Sequence, residues 1–158
     1  MKLKVISFYS RLLSFLLVLL GFSSCSEIDP KDEYGVPSAK FKVKGALVDK
    51  TDNSTSITGI KVAIGQLDRN ETGLKTYYVD SVVTNNTGEF NLSVTDFPVS
   101  QKFVIKYEDT NAVQSGNYGL ITDTVRFENP SFTDGDGSWY KGETVKDLGK
   151  VKISKKEN

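Results

Sequence analysis

The chain has no histidine and a single cysteine. The first absence removes imidazole general acid–base catalysis, histidine-containing triads and most catalytic zinc sites. The second removes any intrachain disulfide, so stability must come from packing and sheet pairing. Long hydrophobic runs are missing too. The longest, Leu12 to Phe22, is 11 residues broken at Ser14, against the ~20 a spanning helix needs. No surplus of positive charge exists, with 20 Lys+Arg against 20 Asp+Glu. Nucleic-acid binding wants a clustered basic face, so no nucleic-acid partner is expected.

What is present begins with that lone cysteine. Lys2, Lys4 and Arg11 precede the apolar run, and no acid occurs before Glu27. Leu20-Gly21-Phe22-Ser23-Ser24-Cys25 follows, with small residues directly before the cysteine. This reads as a lipoprotein signal peptide over residues 1–24, with Cys25 as the lipid-bearing N-terminus. An ordinary secretory signal or a short membrane anchor is the alternative. Lipid on Cys25 would make the membrane a partner, because each buried methylene adds about 0.8 kcal/mol of membrane affinity and several chains make anchoring stable. Removing the leader leaves 17 basic and 20 acidic residues, a net charge of −3, on 134 residues, one domain by length. Leu, Ile, Val and Phe make up about a quarter of that remainder, above the disorder signature.

Residues 25–40 read as a lipid-anchored tether. Glu27, Asp29, Pro30, Asp32 and Glu33 crowd it with acids and a proline, and too few apolar groups are present to order it. It serves either as a spacer or, through its acids after the lipidated cysteine, as a surface-export signal. The membrane is expected to be the outer one, with its periplasmic or surface face left open.

From Phe41 the apolar period becomes two, the mark of half-buried strands. Phe41, Val43 and Leu47-Val48 set the first strand, and Ile60, Val62 and Ile64 the second. Tyr77, Val79 and Val83 continue the pattern, with a register shift near Val82-Val83. Asn85-Asn86-Thr87-Gly88 is a turn, since Asn and Gly tolerate positive φ, and its flanks predict a hairpin. Phe90, Leu92 and Val94 point inward beyond it. Phe103 to Tyr107, Ile121 to Phe127 and Thr144 to Ile153 complete about seven strands. The expectation is an all-β fold: a single antiparallel β-sandwich over residues 41–154, with a tail at 155–158.

Two resemblances follow from particular segments. Val43-Lys44-Gly45-Ala46-Leu47-Val48-Asp49, Ile57-Thr58-Gly59-Ile60-Lys61-Val62 and Thr84-Asn85-Asn86-Thr87-Gly88-Glu89-Phe90 resemble the carboxypeptidase regulatory-like (transthyretin-like) sandwich. That resemblance implies a fold and says little about activity. Glu33-Tyr34-Gly35-Val36-Pro37-Ser38-Ala39 and Asp134-Gly135-Asp136-Gly137-Ser138-Trp139-Tyr140-Lys141-Gly142-Glu143 resemble the radical SAM-associated lipoproteins. This second resemblance spans nearly all of the chain after the leader. It implies a radical SAM enzyme, or whatever depends on it, as partner.

The segment Asp134 to Glu143 is the best candidate site. Asp134 and Asp136 can turn toward one point, as a hard cation such as calcium wants, although the spacing departs from an EF-hand. Trp139 and Tyr140 beside acids form a candidate glycan platform, with the objection that adjacent strand residues face opposite sides. Trp139, Tyr140 and Lys141 are also side chains of the kind radical SAM enzymes modify. A solvated turn with Trp139 packed on the sandwich edge is the plain alternative. Asp80-Ser81-Val82 and Asp123-Thr124-Val125 fit an O-glycosylation pattern at Ser81 and Thr124, or are ordinary strand triplets. No acid pair stands out for glycoside hydrolysis, and no cofactor is implied. The expected role is a non-catalytic envelope module that binds or assembles, with an envelope protein, a radical SAM enzyme or a glycan as partner.

Overall fold

A computed structural model of the chain describes residues 35–70, 73–110 and 118–156, together with Leu13, Phe15 and Leu16. Two units are distinguished, Met1–Gly35 and Val36–Asn158. In the first, Leu13, Phe15 and Leu16 are helical and exposed. Among the described residues no helix is long and apolar enough to cross a membrane. Cys25 and residues 26–34 lie outside the described residues.

The second unit is all β. Its strands are β1 (Ser38–Asp49), β2 (Ile60–Asn70), β3 (Gly73–Val83), β4 (Glu89–Asp96), β5 (Gln101–Asp109), β6 (Ile121–Phe127) and β7 (Tyr140–Ile153). They form two sheets, one of order β4-β1-β7 and one of order β3-β2-β5-β6. The alternation seen in the sequence decides which face of each strand is inward. Phe41 and Val43 of β1, Val62 and Ile64 of β2, and Phe103 and Ile105 of β5 are fully inaccessible. Full burial of such side chains stabilises by about 1.5–3 kcal/mol each. An all-β sandwich of seven strands, as the sequence predicts, is observed.

Three features differ from expectation. First, the sandwich is not antiparallel throughout. β1 and β7 run parallel, from Ser38 opposite Tyr140 to Asp49 opposite Ile153. The pairing joins strands far apart in sequence, which local alternation does not encode. Second, β1 begins at Ser38 and Ala39 is fully buried, so ordered structure reaches into the stretch read as tether. Third, Asn85 to Gly88 is a turn but not a hairpin. β3 pairs with β2, while β4 pairs with β1, so the turn carries the chain from one sheet to the other. The turn itself is local: the Asn85 side-chain oxygen accepts from the Thr87 and Glu89 amides at 3.0 and 2.8 Å.

Bulges adjust the pairing. β7 gains one residue on β1 at each of two register shifts, between Ser38/Lys40 and Lys44/Ala46. Each shift holds a glycine at positive φ, Gly142 and Gly149, as β-bulges favour. On the outer face of this sheet Lys42 meets Glu143 at 2.6 Å and Lys44 meets Asp147 at 3.2 Å. In the other sheet the shift lies between Ile64 and Gly65, opposite Asp80 and Tyr78. Val79 is therefore the extra residue, and the shift is not at Val82-Val83. One side of the sandwich is stitched by side chains: the Asp80 carboxylate accepts from the Ser93 amide at 2.9 Å, and Gln66 Nε2 donates to Asp96 at 2.7 Å. On the opposite side Lys146 Nζ donates to the Arg126 carbonyl of edge strand β6 at 2.6 Å.

Candidate binding surfaces

The loop singled out in the sequence joins β6 to β7. Thr133 and Glu143 close its base through paired backbone bonds of 3.0 and 2.7 Å. Gly142 makes this closure feasible: its φ is 104°, and a Cβ there would lie 2.0 Å from the Thr133 carbonyl oxygen. Inside the loop the charged groups are turned to their own backbone or nearest neighbour. Asp136 accepts from the Ser138 amide at 2.8 Å, Asp134 accepts from the Thr133 hydroxyl at 3.2 Å, and Lys141 Nζ donates to the Ser138 carbonyl at 2.9 Å. Among the described residues no three His, Cys, Asp or Glu side chains gather as a metal site would require. Tyr140 is the first residue of β7, half-buried opposite Ser38. Trp139 precedes it, is 37% exposed, and its carbonyl accepts from the Ser38 amide at 2.9 Å. The loop is thereby fastened to the start of β1.

Ser81 and Thr124 are both exposed but are not brought together. Ser81 lies on β3 and Thr124 on β6, the two edge strands of the four-stranded sheet. Ser81 stands opposite Ala63, and Thr124 opposite Val104.

Large apolar side chains also stand exposed along β3. Tyr77 (45%), Tyr78 (44%), Val79 (53%) and Val83 (54%) stand in solvent, with Leu67 of β2 beside them. The bulge at Val79 breaks the alternation that would otherwise have turned part of this set inward. Small residues under it, Ala63 and Gly65, let the backbones come close: a Cβ on Gly65 would lie 2.6 Å from the Tyr77 carbonyl oxygen. A shallow groove results, bordered by Lys61, Tyr78, Ser81, Lys106 and Glu108. Lys106 Nζ sits 5.7 Å from the Tyr78 ring centre and 2.8 Å from Glu108. Its hydrogen bond to Glu108 holds the ammonium pKa above the usual lysine value. One signal was available in the sequence. Tyr77, Tyr78 and Val79 are consecutive, and a strand of period two cannot bury all three.

The end of the sandwich where β1 stops carries a polar constellation that sequence reasoning missed. Asp49 Oδ2 accepts from the Tyr118 hydroxyl at 2.8 Å and Oδ1 from the Thr51 amide at 2.8 Å, and both side chains are buried. Lys155 Nζ approaches Asp49 at 4.0 Å. The Thr51 amide, and after it the Tyr118 hydroxyl, keep the Asp49 carboxyl below the usual aspartate range. Burial and the bond to Asp49 push the Tyr118 phenol up. Asp52 is lowered to about 2, first by the Thr55 hydroxyl and then by the Thr55 and Ser54 amides. Thr84 is buried nearby, donating to the Ile57 carbonyl at 3.0 Å and accepting from the Ile60 amide at 3.1 Å. These groups satisfy one another across loops distant in sequence, so no local motif announces them.

No family model matches the chain, and no curated protein matches it. Solved structures with a similar arrangement include the TIE protein of Bacillus anthracis, at TM-score 0.45 and 17% identity, over 74% of this chain and 18% of that one. A variant of catechol 1,2-dioxygenase from Acinetobacter radioresistens matches at TM-score 0.49 and 11% identity, over 75% of this chain and 53% of that one. The major pilin SpaD of Corynebacterium diphtheriae matches at TM-score 0.45 and 18% identity, over 75% of this chain and 31% of that one. The chain thus spans less than two thirds of the length of each. At such identities the likeness concerns fold and not activity.

Proposed function

We propose that this chain is a non-catalytic, lipid-anchored interaction module of the cell envelope, held on the outer membrane through Cys25 and engaging a protein partner along β3. The observation that carries the reading is the exposure of four large apolar side chains along an edge strand, Tyr77, Tyr78, Val79 and Val83, with Tyr78 and Val79 lining one groove. Exposed apolar side chains rimmed by polar ones mark interaction sites, and Tyr is enriched at interfaces. The rim is present in Lys61, Ser81, Lys106 and Glu108. An unpaired strand edge adds backbone donors and acceptors to the same surface. The resemblance to radical SAM-associated lipoproteins supports reading the partner as a component of such an enzyme system.

Photo-crosslinking in the native host tests the reading. A photoreactive residue at Val79 is expected to give one discrete adduct, absent when the same residue replaces Thr124 on the polar edge strand β6. Adding Val83→Glu should abolish the adduct. Identical patterns from both positions, or none from either, would remove β3 as the binding surface. Mass spectrometry of the adduct identifies the partner and shows whether it belongs to a radical SAM system. Acyl mass on the peptide that begins at Cys25 tests the anchor separately.

A further inference from the structure

The end of the sandwich opposite the Asp49–Tyr118 pair carries apolar groups where connections are ordinarily polar. The β4–β5 connection reads Phe97-Pro98-Val99-Ser100, and Phe97 and Val99 are each 56% exposed. It follows Asp96, which stands opposite Ala39 at the start of β1. On the other flank of β1, Trp139 is bonded to Ser38 and is 37% exposed. Val36, just before the strand, is 60% exposed. Four large apolar side chains from three separate segments thus collect around the point where the chain enters the sandwich. At the other end Leu120 is the one exposed large apolar side chain among the described connecting residues.

We propose that this end lies against the lipid bilayer, with Phe97, Val99, Trp139 and Val36 in its interfacial layer. The inference rests on lipidation of Cys25, which the preceding reading includes. Cys25 precedes Ser38 by thirteen residues, a reach of roughly 45 Å at full extension. A tether from a lipid on Cys25 therefore joins the sandwich at this end, directly beside the patch. Tryptophan favours the membrane–water interface, and a second apolar contact strengthens attachment by an acylated N-terminus. Charge makes the contact apolar in kind. Near the patch residues in sequence are Asp96, Glu128, Asp134 and Asp136 together with Lys40, Lys102 and Lys141, and Glu27, Asp29, Asp32 and Glu33 precede them with Lys31. Among the described residues no basic cluster is there to select anionic lipid, so docking should be no stronger on anionic than on zwitterionic bilayers.

The test uses Trp139, the single tryptophan of the chain, whose emission reports this end alone. The full lipidated protein is reconstituted into phosphatidylcholine vesicles with and without bromine on the acyl chains. Bromine is expected to quench Trp139 emission, because a side chain seated at the headgroup–acyl boundary lies against the acyl chains. The double variant Phe97→Ser, Val99→Ser should lose most of that quenching, while flotation with vesicles persists and the far-UV spectrum is unchanged. Protein that floats with unquenched Trp139 overturns the docking and leaves the anchor standing. Protein that neither floats nor is quenched overturns both. Quenching that survives the double variant removes Phe97 and Val99 from the contact and with them the proposed surface.

Discussion

The same strands supply both ends of this sandwich, yet each end is closed by different chemistry. Where β1 begins, the interior is a cluster of rings. Phe41 lies 5.4 Å from Phe103, 5.1 Å from Phe127 and 5.5 Å from Phe132, in tilted or edge-on pairs. Where β1 stops, closure falls to Asp49, Tyr118 and Thr84, buried polar groups bonded to one another or to backbone. The ring cluster is held by area and depends weakly on direction. The polar end is held by specific partners, any one of which leaves another stranded when removed. The outsides differ in the same sense, with exposed apolar groups at the first end and charged, capped loops at the second. One end is therefore suited to an apolar surface, and the other to water.

Changes at the two ends should separate these modes of closure. Phe41→Ala is expected to have the largest effect, a loss of about 3–5 kcal/mol, read as a shift of the urea midpoint at neutral pH. A loss under about 1 kcal/mol would mean that the neighbouring rings collapse into the cavity.

Tyr118→Phe should lose about 1.5–3 kcal/mol, the range for a hydrogen bond to a charged group, and should also change the pH response. The Asp49 and Asp52 carboxyls are both lowered in the folded state. Their contribution is therefore fully present above the ordinary aspartate range and is lost as pH falls through the folded values. Stability should be level near neutral pH and fall from about pH 4 toward pH 2. Without the Tyr118 hydroxyl the Asp49 carboxyl is less depressed, so the variant should lose less on acidification than the parent. Parallel acid limbs in thermal melts would show that the bond does not hold Asp49 ionised.

Tyr107→Phe is the sharper counterpart. Tyr107 is 1% exposed, and among the described residues its hydroxyl meets no hydrogen-bond partner. Removing that hydroxyl should stabilise the domain by about 1 kcal/mol, the opposite sign from the same change at Tyr118. A loss of stability would reveal a partner for the hydroxyl. Smallest of all, Phe97→Ser with Val99→Ser should move stability by no more than about 0.5 kcal/mol, since both side chains already stand in solvent. A larger drop would place them in the fold and not on its docking surface.

Strand existence was legible because alternation needs only local residues. Phe103 to Tyr107 is strand as expected, and Val125 with Phe127 share the inward face. Neighbours were less legible. The turn at Asn85 predicts a reversal correctly, but whether the next strand pairs or crosses to the other sheet depends on what β1 offers to β4. The exposed run at Tyr77-Tyr78-Val79 was half legible: three bulky residues in succession force exposure, while the bulge that fixes which are exposed arises from pairing with β2. The Asp134 to Glu143 segment stood out in the sequence as a candidate site, with a solvated turn as its alternative, and local residues could not choose between them. Its charges proved to be committed to neighbouring hydroxyls and carbonyls, a matter of loop closure at Thr133 and Glu143.

By itself the sequence determined the class of fold, the inward faces of the strands and the exclusion of imidazole chemistry, because composition and period are properties of neighbouring residues. The lipoprotein reading of Cys25 also belongs to the sequence, lying outside the described residues. Only the tertiary structure decided the parallel pairing of β1 with β7, the bond between Asp49 and Tyr118, and the gathering of Val36, Phe97, Val99 and Trp139 at one end. Each joins segments tens of residues apart, and no local preference measures the free energy of bringing such segments together.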